Sequence, residues 1–224
     1  MTHPGWSSSE MAARLAADLP DGSYVNLGIG LPTLVAAQIA NDKEIILHTE
    51  NGIVGMGPPP TPEQEDCDVV DAGKSAATLA LGAAIVDQVE SFTIIRGRHL
   101  DFAVLGGMQV SAGGDLANWT TSDRALGSVG GAMDLAVGAR AILVLMYHTD
   151  KLGRPKILSQ CSYPITAPHC VNTIYTNLAV ISVTSGGLVV DSIHPGVSWA
   201  ELQVLTGVPL VPSPSLGMTL GIRS

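Results

Sequence analysis

The sequence predicts a single α/β domain built on an open, mainly parallel sheet flanked by helices. The chain has 224 residues, 46% of them hydrophobic, which is enough for one sizeable core. Aromatic residues make up only 4%, so alanine and branched aliphatic residues must fill that core, as in buried parallel strands covered by helices. Residues 23–48 have the pattern strand, helix, strand, which requires a crossover connection and a parallel pair.

The individual elements follow from apolar periodicity and from turn residues. Ser7 and Glu10 have the spacing of a capping box and predict the start of an amphipathic helix that ends at residues 19–22. The other predicted elements are a strand at 23–29, a helix from Pro32, strands at 44–48, 101–105, 141–146 and 179–183, an exposed proline-rich loop at 57–68, a helix within 131–139, a hairpin turn at 186–187 and a helix at 199–206. We expect one domain over residues 1–210 and an irregular tail over 211–224.

Charge and cysteine content exclude several classes of protein. The net charge of -9 disfavours nucleic acid as a partner, because no clustered basic surface is available to neutralise phosphates. Three cysteines without CxxC spacing indicate neither a disulfide framework nor a metal site. The start of the chain does not read as a secretory leader, and no apolar run is long enough to cross a bilayer. We therefore expect a cytoplasmic protein that binds no metal and no membrane.

The segment LHTENGIVGMGP, residues 47–58, places Glu50 after an apolar strand and before a glycine-rich turn. In open parallel sheets ligands bind beyond the carboxyl ends of the strands. A glutamate is ionised at neutral pH and can attack a thioester without a partner base. We interpret the dense glycines after Glu50 as allowing a ligand to approach the backbone closely. The alternative is that Asn51-Gly52 forms a tight turn and that Glu50 is a solvated flanking residue.

Two neighbouring segments add candidates. Gly28 and Gly30 follow a strand and weakly match a dinucleotide fingerprint, in which Thr33 replaces the third glycine; a tight strand-to-helix turn is an equally good interpretation. Asn26 lies two residues before Gly28 on the same strand face, so its amide is expected to point into the same cleft. His48 alternates with Glu50 and either tunes its carboxylate or is a buried, hydrogen-bonded histidine.

Seven segments in fixed order carry a family resemblance. They are VNLGIGLPTLVA, ENGIVGMGP, DAGKSAATL, SFTIIRGRHLD, GGMQVSAGGDLANW, VGGAMDLAVGA and CSYPITAPHCVNTIYT. Together they resemble the B (β) subunit of class I 3-oxoacid CoA-transferases, the succinyl-CoA:3-ketoacid and 3-oxoadipate CoA-transferase group. The resemblance extends from about Glu10 to Gly207, and the segment that contains Glu50 is its most specific part.

The resemblance implies ping-pong transfer of CoA through a thioester on Glu50, with coenzyme A as cosubstrate and no tightly bound cofactor. It implies that Asn26 bonds near the thioester, that the amides of Gly131 and Ala132 stabilise the oxyanion, and that Lys74 lies near the CoA or the active site. The full predicted binding set is Asn26, Gly28, Gly30, Asn51, Lys74, Gly131 and Ala132. By themselves, Lys74 is as well explained as an exposed lysine, and Gly130-Gly131 as a helix-packing site.

Two departures from the family pattern bear on function. Arg98 stands where the family has a second glycine, in the form RGGH. The family's GxGGF segment, which belongs to the A (α) subunit, does not occur here, so we expect half an enzyme that works with a CoA-transferase A (α) subunit in a heterotetramer. The 3-oxoacid, acetoacetate or 3-oxoadipate, stays open. The alternatives are a sugar-phosphate isomerase of related fold, with Glu50 as base, and a noncatalytic partner subunit.

Overall fold

The computed structural model describes residues 4–121 and 128–220. By its internal contacts the chain forms two compact units. The first unit contains Ala12–Gly106 and Gly130–Ile142, and the second contains Met1–Met11, Gly107–Val129 and Leu143–Ser224. The boundaries between the units fall after Met11, in helix α1 (Ser8–Asp18), after Gly106, after Val129, and after Ile142, in strand β8 (Ala141–Leu145).

Helix α1 begins where the capping box predicts. The Ser7 hydroxyl accepts the Glu10 amide at 3.3 Å, and the Glu10 carboxylate accepts the Ser7 amide at 2.7 Å. At the other end the Lys43 ammonium donates to the carbonyls of Ala17 and Leu19, at 2.6 and 2.7 Å, and so satisfies groups that the helix leaves unpaired. The buried side of the helix consists of Met11, Ala12, Leu15 and Ala16.

The first unit has a parallel centre and an antiparallel edge. Its elements are β1 (Tyr24–Leu27), a 3₁₀ helix (Leu31–Gln38), β2 (Ile46–His48), β3 (Ile53–Met56), β4 (Leu79–Ile85), α2 (Gln88–Arg96), β5 (Phe102–Gly106) and α3 (Ala132–Gly138). Strand β1 pairs in parallel with β2 and with β5, as the crossover pattern predicts. Strands β3 and β4 continue beyond β2 as antiparallel neighbours.

The second unit is largely antiparallel. Its elements are β6 (Gln109–Ser111), β7 (Leu116–Ala117), β9 (Ile157–Leu158), β10 (Val171–Tyr175), β11 (Ala179–Thr184), β12 (Gly187–Ile193), α4 (Trp199–Val204), β13 (Leu210–Pro212) and α5 (Pro214–Leu220). Strands β10, β11 and β12 pair antiparallel, whereas β13 joins β12 in parallel. The predicted hairpin is confirmed, since Thr184 lies opposite Gly187, whose φ is 116°.

The end of the chain differs from its prediction. Instead of an irregular tail, residues 210–220 form β13 and α5. Tertiary pairing explains the difference, because Leu210 and Pro212 lie opposite Leu188 and Val190 of β12, and the Ser213 amide donates to the Val190 carbonyl at 2.9 Å. A proline is tolerated at a sheet edge, where its missing N–H is not needed. Residues 221–224 of the predicted tail lie outside the described residues.

Over residues 4–121 and 128–220, none of the helices combines the length and the apolar character that a bilayer crossing requires.

Candidate active site

Glu50 follows the carboxyl end of β2, a strand paired in parallel with β1. Thr49 shapes the turn that carries it. The Thr49 amide donates to the Ile53 carbonyl at 2.9 Å, the Thr49 hydroxyl accepts the Ile53 amide at 3.0 Å, and the Thr49 carbonyl accepts the Gly52 amide at 3.0 Å. The predicted position of Glu50, at the end of a parallel strand, is therefore what the structure has. In such sheets this is the edge at which ligands bind.

A buried chain of hydrogen bonds leads from β1 to the backbone of Glu50. The Asn26 amide nitrogen lies 3.0 Å from His48 Nδ1, and the Ser91 hydroxyl lies 3.1 Å from His48 Nε2. The same hydroxyl donates to the Glu50 carbonyl at 2.8 Å. Asn26, His48 and Ser91 are each at most 1% exposed. These hydrogen bonds therefore fix the backbone of Glu50 and do not involve its side-chain carboxylate.

Burial determines the protonation state of His48. It lowers the pKa of His48 to about 4, so the ring is neutral at physiological pH. With the Asn26 amide donating to Nδ1, the ring proton sits on Nε2 and is donated to the Ser91 oxygen. The Ser91 hydroxyl in turn donates a hydrogen bond to the backbone carbonyl of Glu50, so every polar group along this series of hydrogen bonds has a partner. The buried, hydrogen-bonded interpretation of His48 is confirmed.

The Glu50 carboxylate lines a cavity of about 210 Å³ together with Asn51, Ala72, Gln88 and Phe92. Burial raises the pKa of Glu50, and the Asp134 carboxylate of α3 raises that pKa further by repulsion. A carboxylate with these neighbours is less stabilised as an anion than one in water. The arrangement suits a group that forms a bond to a ligand.

Gly131 lies directly behind this carboxylate. A Cβ added to Gly131 would overlap Glu50 Oε2 and would lie 3.3 Å from Phe92 Cζ. The φ of Gly131 is -79°, which any residue adopts, so the glycine is required for space and not for backbone conformation. The structure thus brings Gly131 and Glu50 together as predicted, and Ala132 begins α3 beside them.

Asn51 lines the cavity, and Lys74 lies in the neighbouring turn at residues 70–75. The Asn51 side chain donates to the Val70 carbonyl at 2.8 Å and holds the turn at residues 70–75, from which Ala72 reaches the cavity. Lys74 lies in this turn with a φ of 65°, and its side chain is exposed. Lys74 does not line the Glu50 cavity, but it follows the lining residue Ala72 by two positions in this turn.

Asn26 is placed differently from the prediction, and Gly28 and Gly30 each have a structural explanation. The Asn26 amide contacts His48 inside the protein and does not point into the cleft. A Cβ on Gly28 would lie 3.0 Å from the Val104 carbonyl, so this glycine permits close packing against β5. Gly30, with a φ of 90°, precedes the 3₁₀ helix. The tight-turn interpretation of these two glycines fits better than a phosphate cradle.

The glycines after Glu50 serve a purpose other than the one expected. A Cβ on Gly52 would overlap the Val86 carbonyl, one on Gly55 would lie 3.1 Å from Ala83 Cα, and one on Gly57 would lie 2.5 Å from the Thr78 hydroxyl. These glycines let β3 approach β4 and the residues that flank it. Close strand pairing therefore explains the glycine density that the sequence alone attributes to ligand approach.

Sequence reasoning missed helix α2 and the residues that it contributes. Gln88 and Phe92 line the cavity, Ser91 completes the hydrogen-bond chain, and Asp134 acts from α3. A signal for α2 was present: Asp87 and Glu90 have N-cap spacing, and the Asp87 carboxylate accepts the Glu90 amide at 2.8 Å. The pairing of Ser91 with Glu50 spans 41 positions and has no local sequence signature.

Comparison with known proteins settles the family. The family model described as Coenzyme A transferase matches residues 9–204. The chain belongs to the coenzyme A transferase family. It is 53% identical over 206 residues to the B subunit of 3-oxoadipate CoA-transferase from Pseudomonas putida, covering 92% of this chain and 96% of that protein. It is 42% identical over 206 residues to the B subunit of the probable succinyl-CoA:3-ketoacid coenzyme A transferase from Bacillus subtilis, covering 92% and 95%.

Solved structures agree on the fold of this coenzyme A transferase family member. The apoenzyme of an acyl-CoA transferase from Escherichia coli O157:H7 superposes with a TM-score of 0.75, at 18% identity, over 96% of this chain and 44% of that chain. The predicted α/β fold class, the family and the enzyme class of CoA-transferase are all confirmed.

We expect Ser91→Ala to lower the free energy of unfolding by about 1–3 kcal/mol, because the His48 Nε2–H and the Glu50 carbonyl lose their partner in a buried site. Urea unfolding monitored by circular dichroism measures the change. Thr93→Ala is the matched control: it removes a hydroxyl from the exposed side of the same helix, one that donates to the Val89 carbonyl, and should change stability by less than about 0.5 kcal/mol. An equal loss of unfolding free energy in the two variants would show that the hydrogen bonds of Ser91 to His48 and Glu50 do not stabilise the protein.

We expect Gly131→Ala to fold but to displace the Glu50 side chain toward solvent, since the new methyl group takes the place of Oε2. The pKa of Glu50 then falls toward its ordinary value, because its desolvation is relieved. NMR titration of the glutamate carboxyl carbons measures this pKa. Gly186→Ala, whose Cβ meets its nearest neighbour at 3.7 Å in the β11–β12 hairpin, is the control and leaves the Glu50 titration unchanged.

Proposed function

We propose that the chain is the glutamate-bearing subunit of a 3-oxoacid CoA-transferase. It moves CoA from an acyl-CoA, succinyl-CoA in particular, to a 3-oxoacid, which is acetoacetate or 3-oxoadipate. The observation that supports this most is the Glu50 carboxylate, which lies at the carboxyl end of a parallel strand in a cavity where burial and Asp134 raise its pKa. Coenzyme A is the cosubstrate.

The first half-reaction uses Glu50 as the nucleophile. Its carboxylate attacks the thioester carbonyl, the C–S bond breaks, and an acyl-glutamyl anhydride and the CoA thiolate result. The thiolate then attacks the Glu50 carbonyl carbon and expels succinate, which leaves CoA joined to Glu50 as a thioester. The nucleophile needs no base, because a carboxylate already carries its charge.

The second half-reaction reverses these steps with the other acid. The carboxylate of the 3-oxoacid attacks the Glu50 thioester, which releases the CoA thiolate and forms a new anhydride. The thiolate attacks the 3-oxoacyl carbonyl, and the Glu50 carboxylate leaves. No oxidant, reductant or net proton is consumed, so the enzyme returns to its starting state.

The neighbouring residues take supporting roles. The amides of Gly131 and Ala132 are proposed to stabilise the oxyanion, and Gly131 already lies against the Glu50 carboxylate. A well-placed oxyanion donor is worth on the order of 3 kcal/mol. Asn26 acts through His48 and Ser91 on the Glu50 backbone and does not touch substrate. Lys74, an exposed cation near the cavity rim, attracts the anionic cosubstrate.

A second polypeptide is proposed to complete the cleft. The curated relatives carry the names of B subunits, and this chain matches only 44% of the acyl-CoA transferase chain from E. coli. We therefore propose that the partner is a CoA-transferase α subunit and that the assembly is a heterotetramer. The sugar-phosphate isomerase and noncatalytic alternatives make no covalent adduct on Glu50, so detection of that adduct separates them from the transferase.

For the complex with the α subunit, we expect incubation with succinyl-CoA followed by borohydride to reduce the Glu50 carbonyl to an alcohol, which peptide mass mapping detects. Glu50→Gln keeps the shape of the side chain but lacks its nucleophilicity, so transfer falls by at least about 10³-fold while the complex still assembles. Glu44→Gln, an exposed glutamate of the same unit, is the control and keeps full activity. Substantial turnover by Glu50→Gln would refute the mechanism.

The pH profile tests the electrostatic part of the proposal. Glu50 reacts as an anion, so transfer falls as the pH drops through its raised pKa. Asp134→Asn removes the repulsion but not the burial, which lowers that pKa and shifts the acidic limb of kcat/KM toward lower pH. Asp101→Asn, which alters an aspartate paired with Arg140, should leave the limb in place. An unshifted limb in Asp134→Asn would show that Asp134 does not act on Glu50.

A further inference from the structure

Asn51 and Gly52, which directly follow the candidate nucleophile, form the dipeptide of this chain that is most prone to deamidation. An asparagine deamidates when the amide nitrogen of the next residue attacks its carboxamide, and a glycine has no side chain to hinder that attack. Of the asparagines in the sequence, only Asn51 precedes a glycine. Its side chain is exposed and lines the cavity of Glu50. A chemical change at Asn51 therefore occurs within the candidate site.

Packing requires a glycine after Asn51. Gly52 has a φ of 113°, in the left-handed region that favours glycine, and an added Cβ would overlap the Val86 carbonyl. The Val86 amide donates to the Gly52 carbonyl at 2.9 Å, so a backbone hydrogen bond also holds the two segments together. The turn that carries Glu50 therefore needs the residue that makes Asn51 reactive.

Two hydrogen bonds oppose the reaction in the folded protein. The Gly52 amide donates to the Thr49 carbonyl at 3.0 Å, so the nitrogen that would attack keeps its proton. The Asn51 carboxamide nitrogen donates to the Val70 carbonyl at 2.8 Å, so the side chain does not rotate freely onto the Gly52 nitrogen. The second of these bonds depends on the turn at residues 70–75, which positions its acceptor.

Asp71 stabilises the turn that supplies the Val70 carbonyl. The Asp71 carboxylate accepts the Ser75 amide at 2.9 Å, and the Asp71 amide donates to the Ser75 carbonyl at 2.9 Å. Lys74 occupies the turn with a φ of 65°, a backbone conformation that is unfavourable for a residue with a side chain. Because the turn contains this unfavourable residue, we expect it to open easily when the Asp71 carboxylate is removed.

We propose that Asn51 is a deamidation site, that the turn at residues 70–75 restrains its reaction, and that the reaction inactivates the enzyme with time. The Gly52 nitrogen loses its proton and bonds to Asn51 Cγ, and the carboxamide nitrogen leaves as ammonia. Water then opens the resulting five-membered imide at either carbonyl, which gives an aspartate or an isoaspartate in place of Asn51. Water is consumed and ammonia is released, with no oxidant or reductant.

Both products disturb the candidate site. An ionised carboxylate in place of the Asn51 carboxamide has no proton to donate to the Val70 carbonyl, so the bond to the turn is lost. It also adds a negative charge to the cavity of Glu50, which anionic substrates must enter. The isoaspartate product lengthens the backbone by a carbon directly after Glu50 and so displaces the nucleophile. This effect rests on the proposed function, in which Glu50 is the nucleophile.

The test measures the rate of deamidation at Asn51 in the complex with the α subunit by timed peptide mass mapping. Asp71→Ala should open the turn at residues 70–75 and raise that rate about 5-fold, as expected for the loss of one hydrogen bond of ordinary strength. Asp150→Ala is the matched control, because the Asp150 carboxylate accepts the Arg154 amide at 2.9 Å in a turn with the same hydrogen-bond pattern. It should leave the rate unchanged, and thermal unfolding followed by circular dichroism checks that both variants are folded.

Asn51→Asp introduces one of the two products directly and tests the effect on activity independently of the turn. It should lower kcat/KM about 10-fold, because the hydrogen bond to Val70 is lost and a negative charge is added to the cavity. In the parent enzyme, the loss of activity with time should follow the amount of deamidated Asn51.

Equal deamidation rates in Asp71→Ala and Asp150→Ala would show that the turn does not restrain Asn51. An unmodified Asn51 in aged Asp71→Ala would show that it is not a deamidation site, and full activity of Asn51→Asp would reject the inactivating effect. Borohydride labelling of Glu50 in fresh parent enzyme separates this inference from the proposed function. Deamidation without a label on Glu50 rejects only the proposed function, whereas a labelled Glu50 beside an Asn51 that never deamidates rejects only the inference.

Discussion

The buried bond from His48 to Ser91 is the interaction on which the candidate site depends. Ser91 lies on α2 and bonds the Glu50 carbonyl, so the helix and the strand end are joined at the one residue that must be positioned. His48 can take this place only as a neutral ring, since a buried imidazolium would lack compensation for its charge. Asn26 selects the tautomer by donating to the other ring nitrogen. Rigid backbone support from β1, β2 and α2 leaves the carboxylate to the ligand.

Glu50 and His48 each reduce the stability of the folded state, but they do so in opposite pH ranges. The pKa of Glu50 is raised in the folded state. The contribution of Glu50 to stability is therefore present below its unfolded pKa and is lost as the pH rises through its folded pKa. This loss persists at neutral pH. The pKa of His48 is lowered from 6.5 to about 4, so stability is intact above 6.5 and is lost as the pH falls toward 4. At neutral pH only the Glu50 penalty is present, as expected where a group is kept for reactivity.

Local signals in the sequence predicted local structure well. The capping box at Ser7 and Glu10, the parallel pair around β1 and the place of Glu50 all follow from spacing and strand ends. Pairings between distant segments produced the errors. The positions after Glu50 are glycines because β4 lies close against β3. Residues 210–220 form regular structure because β13 pairs with the edge of β12. For the same reason the site residues of α2 and Asp134 could not be predicted: their closeness to Glu50 arises only in the folded chain.

Helix α2 explains why two departures from local rules occur in one unit. Its buried side places Ser91 against the Glu50 backbone, and its outer side places Phe92 and Arg96 one turn apart, with the Arg96 guanidinium over the Phe92 ring. The helix then ends in a left-handed residue that is an arginine, where glycine would relieve the strain. A desolvated carboxylate before the helix and a strained, unpaired cation after it both reduce stability, and neither is required by the packing of the core. Sequences depart from local consistency in this way at functional sites, and the end of α2 that lies beside Glu50 is the end at which the candidate site is found.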